Sequence, residues 1–156
     1  NFKDGKIDFD NARKISEKDH VEIIKRSNVD VDDILFSMIG GNIGNQVLVK
    51  DPRPFSIKNV ALFKYYNKEL THPEFINIFT KELALTLQKK ASGGAQPFVS
   101  LGALRKLVLA LPPRMEQKLI VSKVDELLVL CDQLKSKISN SKKIQSKIAD
   151  SLTQLN

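Results

Sequence analysis

Two hydrophobic periods divide the chain, and the change falls at Pro112-Pro113. Past the prolines, apolar positions recur alternately every four and three residues. They are Ile120, Val124, Leu127, Cys131, Leu134, Ile138, Ile148, Leu152 and Leu155, with the polar Ser141 and Gln145 in the same register. A heptad sustained for about five repeats predicts a long coiled-coil helix. From Pro113 to Leu155 such a helix would run about 65 Å at 1.5 Å per residue. It outruns a small domain and needs a partner surface on another helix or another chain. Leu128 and Leu130 widen the stripe at its N-terminal end, and Ile144 flanks the polar pair. Cys131 falls on the seam and reads as a small buried hydrophobe, inert as a thiol.

Before the prolines the pattern is mixed. Ile7-Asp8-Phe9-Asp10 alternates like a short strand, and Ser16 with Asp19 marks a capped helix start running to about Lys25. Ile34-Leu35-Phe36-Ser37-Met38-Ile39 is a short apolar run bounded by turn residues, as in a buried strand. Gln46 to Lys50 makes a second strand, and the two suggest a hairpin with an extended loop. Asn59 to Tyr66 supplies a third strand. Thr71 caps a helix whose apolar stripe is Phe75, Ile76, Phe79, Leu83 and Leu87, ending near Lys90. Ser100 caps a short turn through Arg105, and Leu107 to Leu111 reads as a short apolar strand. The expected fold class is α+β: a small mixed α/β domain over residues 1–111, then a long C-terminal coiled-coil α-helix over residues 112–156.

Composition narrows the function. The 156 residues suit one domain, or a small domain with an extension, and can hold a core without disulfides. The formal net charge is +7, with 17 Lys and Arg against 13 acids before Pro112 and 8 against 5 from there on. The charge is thus spread over both regions and suits an anionic partner, nucleic acid or an acidic protein face. Aromatic content of 6% without Trp argues against a base-stacking platform as the main device. No apolar run is long enough to span a membrane, and the start has no signal-peptide core. A single Cys excludes an internal disulfide, and His20 and His72 have no metal-ligand neighbours at usable spacing. A cytoplasmic protein without metal or cofactor is the expectation.

No catalytic constellation is visible. There is no phosphate-binding G-x-x-x-x-G-K-[ST], and Gly40, Gly41 and Gly44 do not match dinucleotide spacing. The acid pairs Asp32-Asp33 and Asp125-Glu126 read as solvated charge. Two loops carry more chemistry. Gly40, Gly41, Asn42, Asn45 and Gln46 combine small residues with side-chain amides, and so do Ser92, Gly93, Gly94 and Gln96, with a hydroxyl. Asn and Gln can pair bidentately with adenine, and Gly lets a backbone approach phosphate. Lys89, Lys90, Arg105 and Lys106 flank the second loop and suit phosphate contacts. Gly and Asn are also what hairpin turns require, so the turn reading stands beside the DNA reading.

The run Gly93-Gly94-Ala95-Gln96-Pro97-Phe98-Val99-Ser100-Leu101, on through Leu107, resembles the DNA specificity subunit of type I restriction-modification systems. So do Leu111-Pro112-Pro113-Arg114-Met115-Glu116-Gln117 and Val124-Asp125-Glu126-Leu127-Leu128, and Asp32 to Gly40 is similar to the strand entry of the family's target-recognition domain. The resemblance implies a non-catalytic subunit with two recognition domains, each reading half of a split double-stranded DNA site. Each is followed by a long helix. The helices pair antiparallel as a spacer and dock methyltransferase subunits, and a restriction and translocase subunit joins for cleavage. S-adenosylmethionine, ATP and magnesium then belong to those other subunits. With one recognition domain and one helix, and no opening Met or opening strands, the chain is expected to be the C-terminal part of a half-subunit or full subunit.

DNA recognition by residues 1–111 therefore leads. A coiled-coil interaction and assembly module without DNA binding is the alternative. In either case the seam is expected to form an antiparallel homodimer when no second helix is supplied, and Ser141 and Gln145 are suited to set its register.

Overall fold

The Ile34–Ile39 run supplies the central strand of the domain. In a computed structural model that describes residues 2–3, 5–40, 43–91 and 98–153, β3 (Ile34–Ser37) lies between β4 (Gln46–Leu48) and β5 (Val60–Phe63). Both pairings are antiparallel, with Leu35 opposite Val47 on one side and Leu62 on the other. Side chains alternate across a sheet, and here both faces are covered. Phe36 joins Met38, Ile43, Ala61, Ala84, Val99 and Leu104 in one cluster, while Leu35 joins Val47 and Val49 in another. Two buried faces explain a continuous apolar run where a half-exposed strand would alternate.

The second cluster is covered by Phe2 and Ile7, which face each other across the antiparallel hairpin of β1 (Phe2–Lys3) and β2 (Lys6–Ile7). The strand expected over residues 7–10 stops at Ile7. Asp8 turns the chain instead, its Oδ1 accepting from the Asn11 amide at 3.0 Å. Helix α1 (Glu17–Ser27) starts as expected, with the Ser16 Oγ accepting from the Asp19 amide at 3.1 Å. Behind it Asp33 is buried, accepting from the Asp30 amide at 2.8 Å and from Lys64 Nζ at 2.7 Å. A buried carboxylate needs such partners, so this pair ties the segment before β3 to the residue after β5.

The first cluster is covered by α2 (Pro73–Ala91), through Leu83, Ala84 and Leu87, and by Leu104 of α3 (Leu101–Arg105). The cap of α2 falls on His72 and not on Thr71, because the His72 carbonyl accepts from the Phe75 and Ile76 amides. Pro73 then takes the first helical position, where no amide is needed. The Ser100 Oγ caps α3 by accepting from the Ala103 amide at 3.0 Å. Leu107 to Leu111 does not form a strand: no ladder partner is recorded for it among the described residues, and Val108 is 90% exposed.

Helix α4 (Arg114–Thr153) has 40 residues, about 60 Å at 1.5 Å per residue. The fold is thus a small mixed α/β domain with a three-stranded antiparallel sheet, followed by one long C-terminal helix. The chain divides into two compact units, Asn1–Gln117 and Lys118–Asn156. The first turn of α4 belongs to the first unit. Its Gln117 is completely buried: Oε1 accepts from the His72 amide at 2.7 Å, and Nε2 donates to the Leu70 and Pro112 carbonyls at 2.8 and 2.7 Å.

Candidate nucleic-acid interface

The β3–β4 loop is shaped by two left-handed glycines and one apolar anchor. The Ser37 amide donates to the Asn45 carbonyl at 2.8 Å and the Gly44 amide returns to the Ser37 carbonyl at 3.0 Å, closing the hairpin. Gly40 and Gly44 have φ of +66° and +85°, a backbone that side chains with a Cβ rarely adopt. Ile43 turns inward and is 1% exposed, within the same cluster as Met38 and Phe36. Asn45 is exposed, whereas Gly41 and Asn42 lie outside the described residues.

Gln46 goes the other way. Opposite Phe36 in the ladder, it shares that strand's buried face, and its Nε2 donates to the carbonyl and Oδ1 of Asn77 at 2.7 Å each. Its Oε1 is buried with no hydrogen-bond partner among the described residues. As a base reader it is therefore in the wrong place: it buttresses the loop from inside against α2.

The second loop enters from the end of α2 and leaves at Phe98. Ser92, Gly93, Gly94 and Gln96 lie outside the described residues. Lys89 and Lys90 stand on the last turn of α2, and nothing is described of their side chains. The exit is fixed: Ile39 and Phe98 form an antiparallel bridge, and the Val99 amide donates to the Met38 carbonyl at 2.9 Å. Ile39 is the residue before Gly40, and Phe98 the residue after Pro97, so the bridge joins the start of one loop to the end of the other. Neither sequence position announced this pairing, which depends on a partner 59 residues away. Arg105 and Lys106 are exposed at the end of α3, which begins three residues after Phe98.

Other charges are engaged within the fold. Lys50 bridges Asp32 and Glu74. Burial works to lower Lys64, but its hydrogen bonds with Asp30 and Asp33 outweigh that and hold its ammonium above the usual lysine value. Arg53 donates to Asp51 from its guanidinium Nε and Nη2 and from its backbone amide, and it stacks over Phe9 at 4.0 Å; those hydrogen bonds, the side-chain ones first, hold the Asp51 carboxyl down at about 2. Among the described residues no group of His, Cys, Asp and Glu could hold a metal, and no helix is long and apolar enough to cross a membrane.

On α4 the heptad positions separate by depth. Ile120 and Val124 are half-buried, while Leu127, Leu134, Ile138 and Ile148 are 50–58% exposed. Nothing is described of the side chain of Leu152. Cys131 is exposed in the single chain, not buried as its seam position suggested.

A family described as "Type I restriction modification DNA specificity domain" matches residues 2–143. The EcoAI type I restriction enzyme specificity subunit of Escherichia coli is 32% identical over 99 residues, covering 62% of this chain and 16% of that protein. The corresponding EcoBI subunit of the same species is 26% identical over 140 residues, covering 88% and 29%. For the E. coli EcoEI subunit the figures are 33% over 69 residues, 44% and 12%. The chain spans between 12 and 29% of the length of these curated relatives.

Proposed function

The chain belongs to the type I restriction-modification DNA specificity family, and we propose that it recognises DNA sequence as part of such a specificity subunit. In this reading residues 1–111 read one half of a split duplex target, and residues 112–156 act as spacer and assembly helix. Lysines and arginines at the second loop and α3 position the domain on phosphates, while Asn42, Asn45 and Gln96 read base edges. The observation that carries the reading is the Ile39–Phe98 bridge, which sets the ends of both polar loops side by side over one core cluster.

The half-exposed leucines and isoleucines of α4 serve assembly. They pair with the second helix of a full subunit or with another copy, and the paired helices dock methyltransferase subunits. The protein is non-catalytic and works in the cytoplasm. Methyl transfer, translocation and cleavage fall to the partner subunits, which carry the cofactors. A methylome comparison of cells with and without the intact gene tests this. One split motif should lose its methylation when the gene is disrupted; methylation unchanged at every motif would contradict the proposal.

A further inference from the structure

We propose that Phe98 contacts a base directly, seating the 5-methyl group of a thymine in the major groove. The inference rests on the DNA-recognition reading and deepens it.

Residues 98 and 99 extend alongside the end of β3, held by the Ile39–Phe98 bridge and the Val99 to Met38 hydrogen bond. Successive residues of an extended segment face opposite sides. Val99 is 7% exposed and lies in the core cluster, so Phe98 is the residue turned outward, 62% exposed. Ile39, its bridge partner, shares the outer side and is 37% exposed. The two make an apolar spot between the ends of two otherwise polar loops.

The surroundings select the occupant. Arg105, the last residue of the short helix that begins three residues after Phe98, and Lys106, its C-cap, are exposed and suit an anionic backbone. On the major-groove edges of the base pairs the thymine 5-methyl is the one alkyl group, the rest being hydrogen-bond donors and acceptors or bare C–H edges such as cytosine C5–H. An exposed phenyl ring therefore complements thymine better than any other base. The half-site read by this domain should contain an A·T pair.

The test uses the full-length protein, its mapped target duplex, the same duplex with deoxyuridine replacing each thymine in turn, and a scrambled duplex. Wild-type protein preferring target over scrambled DNA checks recognition itself, independently of Phe98. One uracil should weaken wild-type binding roughly three- to fivefold, what burial of one methyl-sized group is worth. Phe98→Ala should weaken binding to the thymine duplex at least as much, leave scrambled-duplex binding unchanged and abolish the uracil penalty. Phe98→Leu keeps an apolar surface and should retain part of that penalty. Because Phe98 is exposed, both variants should melt as the wild type does. A Phe98→Ala protein that binds the target like wild type, or that shows the same uracil penalty, overturns the proposal, as does a half-site without an A·T pair.

Discussion

Replacing Gln117 by alanine should cost the first unit about 3 kcal/mol. The side chain is fully buried and satisfies three backbone groups at once: the His72 amide and the carbonyls of Leu70 and Pro112. Each such hydrogen bond is worth about 1 kcal/mol net, and a buried group left unpaired loses at least that. The melting temperature should fall by on the order of 10 °C, at roughly 2–4 °C per kcal/mol for a chain of this size. Thermal and urea unfolding followed by far-ultraviolet circular dichroism measures both. Gln117→Leu separates the two contributions to the loss. It fills most of the space but leaves the same three groups unpaired, so it should be at least as damaging. Gln133→Ala, exposed on the same helix, should change stability by no more than about 0.5 kcal/mol. If Gln117→Ala also stayed within that margin, the view of Gln117 as a polar clamp between residues 70–72 and the start of α4 would be refuted.

Three further outcomes are expected. The Asp51 carboxyl, held at about 2 chiefly by its hydrogen bonds with Arg53, should titrate below the ordinary aspartate value by carbon-detected NMR. A lowered folded value means its contribution to stability is present above the ordinary 3.8 and is lost as pH falls through about 2; Arg53→Ala should return the titration towards that ordinary value. Arg105→Ala and Lys106→Ala in the full-length protein should each reduce the slope of log affinity against log salt by about 0.9, and do so equally on target and scrambled DNA. If the α4 seam pairs two copies of this chain, Leu134→Asp should abolish that pairing, read as a fall to the monomer mass by light scattering, while the melting of the first unit stays within about 0.5 kcal/mol of wild type because Leu134 is exposed.

What could be read in the sequence were the features decided locally. Ser16 and Ser100 cap helices through amides three residues on. The mostly apolar Ile34–Ile39 run marked a buried strand, and the heptad marked α4. What escaped was decided by distant partners. Leu107 to Leu111 has the composition of a strand, but a strand needs a neighbour to pair with, and none is recorded among the described residues. Gln46 has the chemistry of a base reader, yet its register opposite Phe36 turns it under α2. Two of the three partners of Gln117 lie 45 and 47 residues away, so its amide looked like any other on a polar helix turn. Of the two candidate loops, sequence supplied the chemistry, whereas the adjacency of one end of each came only from the pairing of Ile39 with Phe98.

The central claim, that this domain reads sequence, is tested most directly by fluorescence anisotropy. The full-length protein is titrated with its target duplex and with a scrambled duplex of equal length, both at about 150 mM salt, where nonspecific phosphate attraction is screened. Sequence recognition predicts binding to the target tighter by about a thousandfold or more. Equal affinity for the two duplexes would contradict it.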